Sequence, residues 1–318
     1  MLACCALSAA GYSGVVPVSA RSMRVGAETS GRPLPVLANG GRLIAAPSMQ
    51  AAAAAMPGPS SFEISPPKTN AISRFITGVL FAFICVAVVT AVYPLVLSAA
   101  LYGKLFDNKR RRFNDYVVQW WARISMMIFF ANVKVENAEL LPPADEPIMF
   151  CPNHCSFLDI FCLSGYMPRR FKYISKIEIL RIPMIGWAMG FAKHIAISRM
   201  DRASQLKTLK DAVETLKDGN SLVTFPEGTR SKDGRLNEFK KGPFTMASRA
   251  GVRIVPLTII GTHLFQPPGA FVPIAFPRGV RIVCHPPIDP PPAKKEDAAM
   301  AQCREAIISA LPDSMQPL

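Results

Sequence analysis

A histidine and an aspartate five positions apart, in Asn153-His154-Cys155-Ser156-Phe157-Leu158-Asp159, are the residues of this 318-residue chain best suited to moving a proton. A hydroxyl is a poor nucleophile until its proton is taken. A neutral imidazole can take it, and a carboxylate on the opposite ring nitrogen fixes the tautomer and stabilises the imidazolium that forms. On a continuous helix, side chains five apart diverge by about 140°. The pair therefore meets only if His154 lies in a loop and the helix starts after it. Ser156-Phe157-Leu158-Asp159 has a capping pattern with Ser156 as N-cap, so Asp159 reads equally as a helix cap and as the partner of the imidazole. No Gly-x-Ser-x-Gly elbow occurs, so Ser156 is not read as a nucleophile. Cys155 is expected to point away from the base, leaving direct attack by a substrate hydroxyl as the simpler chemistry.

A second group stands about seventy residues later, in Phe225-Pro226-Glu227-Gly228-Thr229-Arg230-Ser231. An apolar strand, Ser221–Phe225, is stopped by Pro226, and Gly228 permits backbone angles that other residues resist. Arg230 can offer a planar fork to phosphate oxygens, with Thr229 and free backbone N–H groups beside it. Glu227 is a candidate for hydrogen-bonding a substrate hydroxyl or for pairing with an arginine. The competing reading is an exposed turn holding a local Glu–Arg pair.

The elements around these groups imply an α/β fold: a mostly parallel sheet flanked by helices, preceded by an N-terminal membrane-spanning or membrane-embedded helical segment. Short β-prone runs are read at 147–151, 171–174, 194–197, 221–225, 253–260 and 280–284, with helical patterns between several of them. The clearest helix is 201–218, where Ala203, Leu206, Leu209, Val213 and Leu216 share one face and Gly219 supplies the stop. A terminal helix is expected over 296–311. A histidine in a loop between strand end and helix start is where such sheets place their active sites.

Upstream, 75–103 contains no charged residue and is long enough to span a bilayer, with Pro94 the expected place for a kink. Lys109-Arg110-Arg111-Arg112 follows as a basic cluster suited to anionic head groups. The aromatic-rich segment at 117–131 reads as interfacial or as a packed core helix. Residues 1–62 hold four arginines, one acidic residue and no lysine, the composition of an organellar transit peptide, with a plastid preferred and the endoplasmic reticulum membrane second. The resulting division is 1–70 leader, 71–132 membrane-associated helices and 133–318 catalytic domain.

A net charge of +14 favours anionic partners, but the apolar fraction of 50% and the lack of any nucleic-acid-binding signature exclude nucleic acid. The eight cysteines form no paired framework, and Cys151, Cys155 and Cys162 lack a second ligand pair, so no metal is expected.

The two strings, in this order and at this separation, resemble the glycerolipid acyltransferase family with its His-x4-Asp motif, and within it the branch acting on 1-acyl-sn-glycerol 3-phosphate. The resemblance covers roughly 133–288. It includes the block Gly190 to Arg199, similar to a family block ending in a substrate-contacting arginine, and Val255-Pro256-Leu257, similar to an apolar wall near the site. It implies direct acyl transfer from acyl-CoA or acyl carrier protein, as co-substrate and without a cofactor, to the sn-2 hydroxyl of lysophosphatidic acid, giving phosphatidic acid. His154 would be the general base and Asp159 its orienter. Glu227, Gly228, Thr229, Arg230, Arg199 and Lys193 would bind the acceptor, with Lys240 and Lys241 as further phosphate contacts. Membrane lipids are the implied surroundings. His194, His263 and His285 are expected to be structural. The rivals are a glycerol-3-phosphate or other lysophospholipid acyltransferase and, in a different class, a non-catalytic membrane lipid-binding protein. The last has no use for a histidine–aspartate pair.

Overall fold

The computed structural model describes residues 64–198 and 201–318. The expected leader up to residue 63, and Arg199, lie outside the described residues. A seven-stranded sheet runs β1 (Val133–Glu136), β7 (Val280–Cys284), β6 (Arg253–Ile260), β2 (Ile148–Pro152), β5 (Leu222–Val223), β3 (Lys172–Lys176), β4 (Ile195–Ile197) in spatial order. Every neighbouring pair is parallel except β6 with β7, so the sheet is mostly parallel, as the alternation of elements implied.

Strands β2 and β6 are central and buried on both faces, which is why they read as unbroken apolar runs. Period-two alternation sorts their side chains between two cores. Ile148 and Phe150 of β2, with Val255, Leu257 and Ile259 of β6, meet α1 (Ala71–Phe106), α2 (Arg112–Ile128) and α3 (Leu158–Tyr166) through Phe81, Met126, Leu158 and Phe161. Met149, Cys151 and Ile254 face the other way, onto α6 (Arg202–Lys217), α7 (Gly242–Ala250) and α9 (Glu296–Ala310) through Leu216, Phe244, Cys303 and Ile307. Two short helices, α4 (Ile177–Leu180) and α5 (Ile185–Phe191), fill the crossover from β3 to β4, and α8 (Thr262–Phe265) follows β6.

Helix α1 opens on a reciprocal cap, with Ser73 N donating to Asn70 Oδ1 (2.8 Å) and Asn70 N to Ser73 Oγ (3.0 Å). It continues through Pro94 to Phe106, about 54 Å at 1.5 Å per residue, and is long and apolar enough to cross a membrane. Helix α2 combines both readings of its segment. Val117, Ala122 and Met126 are buried against neighbouring helices, and Trp121 Nε1 donates to Cys85 O (3.2 Å), while Trp120, Ile124, Met127 and Ile128 stay exposed. A buried ion pair, Lys172 Nζ to Asp115 Oδ2 at 2.8 Å, ties α2 to β3, and Lys172 also donates to Ala192 O (2.7 Å) beyond α5.

Two strands depart from expectation. β1 falls just after the aromatic segment, at 133–136, where no strand is expected from the sequence. β5 is confined to Leu222–Val223, shorter than the expected 221–225, because Phe225 leaves the ladder to pack on His154.

Candidate active site

The carboxyl ends of β6, β2 and β5, three adjacent strands, supply the site. Just past β2, Asn153 pairs its side-chain amide with the Ile259 backbone, accepting from Ile259 N (2.7 Å) and donating to Ile259 O (3.0 Å). This extends the β2–β6 pairing by one residue after Pro152 can no longer donate, and it sets where the next residue starts. That residue is His154. Its backbone N–H donates to Glu227 Oε1 (2.6 Å) and its carbonyl accepts from Ser231 N (2.8 Å), so the second motif holds the first by its main chain.

The imidazole is fixed by two contacts. Nδ1 lies 2.8 Å from Asp159 Oδ2, and the ring stacks on Phe225 with centroids 3.7 Å apart and planes 18° from parallel. With the Nδ1 proton directed at the carboxylate, Nε2 carries the lone pair, and it makes no hydrogen bond among the described residues. The ring borders a cavity of about 680 Å³. That is the arrangement of a base awaiting a hydroxyl.

Asp159 is fully buried and acts as both cap and orienter. Oδ2 accepts from Nδ1 of His154 and from the backbone N–H groups of Cys155 and Ser156 (2.9 Å each), and Oδ1 accepts from Thr262 Oγ1 (2.5 Å). Ser156, expected as N-cap, sits one position earlier than the cap residue Phe157. Its Oγ accepts from Leu158 N (3.2 Å) and donates to Gln266 O (2.8 Å), which leaves it no role as a nucleophile. Cys155 turns away toward Gly234 O (3.6 Å), and burial pushes its thiol pKa well up.

The cavity runs from His154, Thr229 and Arg230 along the sheet to Tyr173 and His194, and its walls are mainly apolar. Val89, Val92 and Val96 of α1 and Trp121 of α2 contribute, so the apolar N-terminal helices wall the same space that receives the imidazole. The mouth carries an exposed guanidinium, Arg230, which forms no ion pair among the described residues. An apolar chamber with a base at its entrance and a free cation beside it suits a molecule with a long hydrocarbon and a phosphate.

Residues 132–260 match the family model described as Acyltransferase. A 1-acyl-sn-glycerol-3-phosphate acyltransferase of Chlamydomonas reinhardtii is 38% identical over 270 residues, covering 83% of this chain and 78% of the relative. The chain belongs to the acyltransferase family. Two chloroplastic relatives of the same description, from Arabidopsis thaliana and Brassica napus, are each 39% identical, over 240 and 217 residues, or 76% and 68% of this chain. This chain spans 66% and 62% of their lengths, just under two thirds. The crystal structure of a 1-acyl-sn-glycerophosphate acyltransferase from Thermotoga maritima superposes with a TM-score of 0.59 at 28% identity, covering 74% of this chain and 93% of that one.

Within this chain the expected acceptor contacts divide. Thr229 and Arg230 are exposed at the cavity. Gly228 holds φ +73°, as its turn requires, and a Cβ there would fall 2.9 Å from Lys240 Nζ, so Lys240 folds over the turn. Glu227 differs from expectation: it is 3% exposed, and its oxygens accept from His154 N and Asn237 N (3.0 Å), so it meets neither arginine nor open cavity. Burial pushes its pKa up to about 7 against the pull of those N–H groups. Lys193 sits exposed at φ +57° in the turn before β4 and does not line the cavity, because that tight turn directs His194 inward instead. Lys241 is taken by Asp297 at 2.7 Å.

The remaining histidines are weak bases. Burial lowers His194 to about 3 and His285 to about 4, and also lowers His263. Two contributors went unread in the sequence: the ring of Phe225 and the hydroxyl of Thr262. Phe225 could have been suspected from its place at a strand end beside the anion turn. Thr262 is 103 positions from Asp159, and only its place just beyond the carboxyl end of β6 hints at it.

Proposed function

We propose that this chain transfers an acyl group from a thioester, acyl-CoA or acyl carrier protein, to the sn-2 hydroxyl of 1-acyl-sn-glycerol 3-phosphate, forming phosphatidic acid. The observation that carries the reading is the His154 imidazole, held by Asp159 with Nε2 free at an apolar cavity beside Arg230. In this reading Nε2 takes the hydroxyl proton as the alkoxide oxygen attacks the thioester carbonyl. The imidazolium, stabilised by Asp159, then returns the proton to the departing thiolate, so the ester forms as the thioester breaks and protons balance. Arg230 and Thr229 hold the phosphate, with Lys240 adjacent. Arg199 is retained in the proposal as a further phosphate contact. The names of the similar proteins support the acceptor assignment.

In the same reading residues 71–132 lie in a membrane, which the length and apolarity of α1 support, and residues 1–70 direct the protein to a plastid, which the chloroplastic relatives support. The catalytic portion is 133–318.

The test is an acceptor panel on detergent-solubilised protein: lysophosphatidic acid, glycerol 3-phosphate, dihydroxyacetone phosphate and several lysophospholipids, each with both thioester donors. Lysophosphatidic acid should give the highest kcat/KM. A preference for glycerol 3-phosphate or for a larger head group would replace the acceptor assignment. A fusion of residues 1–70 to a reporter should enter plastids, and a diffuse cytosolic signal would remove that address.

A further inference from the structure

The connection from α8 to β7 carries no charged residue from Leu264 to Pro277. It is an ordered loop. Ile274 N donates to Phe265 O (2.7 Å), Ala270 N to Pro267 O (3.0 Å) and Gln266 Nε2 to Ala270 O (3.2 Å), so these polar groups are spent within the loop. What it presents outward is Phe271, 97% exposed. A phenyl ring held in water at the tip of a closed loop forfeits its burial free energy, and where other exposed apolar side chains join it in a patch, that surface marks a contact with something else.

Two contacts join this loop to the apolar helices. Val272 seats against Gly78 of α1, where an added Cβ would fall 2.5 Å from Val272 Cγ2, so only glycine allows the approach. Phe276 packs on Phe129 (5.0 Å) and Phe130 (6.1 Å) just past α2. The loop is thereby held against the part of α1 that carries the exposed Phe75, Ile76 and Val79 and against the exposed Phe130. The same loop walls the cavity through Gly269, Ala270 and Phe271, and at its start Gln266 O accepts from Ser156 Oγ (2.8 Å), two residues from His154.

We infer that this loop is inserted in the hydrocarbon of the bilayer, with Phe271 as its anchor, and forms the lip across which a lysolipid passes sideways between membrane and cavity. The inference rests on the proposed acceptor, a single-chain lipid whose apolar tail would otherwise have to cross water to reach His154. The lipid surface is favoured as the occupant because the loop lacks charge and is seated through Val272 on a helix long enough to cross a membrane.

The experiment reconstitutes the full chain into vesicles of phosphatidylcholine and phosphatidylglycerol and compares Phe271→Trp with Phe83→Trp, a substitution on the exposed face of α1. Each should add fluorescence that lipids brominated on their acyl chains quench, beyond that of the unsubstituted protein. Quenching at 83 but not at 271, with the 271 emission open to aqueous iodide, overturns the lip and leaves α1 in the membrane. Quenching at neither position overturns both. This readout needs no turnover, so it is distinct from a failure of the acceptor assignment in the panel above. In a second arm, Phe271→Ser should lower the ratio of transfer to long-chain lysophosphatidic acid in vesicles over transfer to a short-chain analogue in solution by about ten-fold, the scale of one buried aromatic side chain. Phe271→Leu should largely restore that ratio, and an unchanged ratio in the serine variant overturns the role in entry.

Discussion

The two motif loops sit side by side yet are built on opposite plans. In the stretch from Asn153 to Asp159 local bonds to Asp159 are joined by ties to distant elements: Asn153 to β6, the His154 main chain to Glu227 and Ser231, Asp159 to Thr262. The stretch from Pro226 to Arg230 is divided. Pro226 and Glu227 are buried as bracing, while Thr229 and Arg230 are exposed at the cavity. In the proposed reading the first loop serves a base, which must have one orientation, and it is over-determined. The second would receive a phosphate, and its Arg230 forms no ion pair among the described residues. Two buried carboxylates make the point at closer range: Asp159 holds the histidine ring and Glu227 holds the histidine backbone.

The comparison is broken most directly at the ring. His154→Ala should lower kcat by about two to four orders of magnitude, the range of general-base effects, in a thioester-release assay on purified protein. Retention of most activity would remove the base.

Bracing by Glu227 makes a different claim, read by stability against pH. Its folded pKa of about 7 lies above the ordinary 4.5. A carboxyl raised in this direction favours the fold most when protonated, below 4.5, and that contribution is lost as pH rises through 7. Between pH 5 and 8.5 the natural protein should therefore lose stability relative to Glu227→Gln, on the order of 3 kcal/mol at most from the 1.36 kcal/mol carried by each pKa unit. Thermal unfolding across that range checks it, and parallel pH profiles would show that Glu227 does not titrate there.

At the open end of the second motif, Arg230→Ala should raise the KM for the phosphorylated acceptor by roughly ten-fold or more, as loss of a charge-assisted hydrogen bond does, with kcat less affected. An unchanged acceptor KM with weakened donor use would move the guanidinium to the thioester. The smallest expected effect is Thr262→Val, which removes one neutral donor from Asp159. About 1 kcal/mol, near five-fold in kcat with KM preserved, is the expected loss, and Thr262→Ser should recover it.

Much of the frame was legible in the chain. Strands β6 and β7 fall on the runs read at 253–260 and 280–284, because buried strands announce themselves as short apolar segments between turn residues. The helix at 201–218 was equally clear from its apolar face and glycine stop. β1 was not, since Val133–Glu136 alternates over only four residues at the tail of an aromatic segment. The motif residues identified themselves by type but not by task. Glu227 carries the charge of a ligand contact and serves as a brace. Lys193 carries the charge of a phosphate contact and ends outside the cavity. Asp159 read as cap or as partner and is both, because two oxygens with several lone pairs can serve the backbone and the imidazole together.

Local chemistry, then, was settled by the order of residues: which side chain can accept a proton, which turn needs glycine, which segment is apolar enough for lipid. Those properties depend on a residue and its near neighbours along the chain. Which donor meets which oxygen was decided only when β2, β5 and β6 lined up at their carboxyl ends, bringing Thr262 to Asp159, 103 positions away, and Glu227 to His154, 73 positions away. Hydrogen bonds act over about 3 Å, and no spacing along a sequence encodes a distance across a sheet.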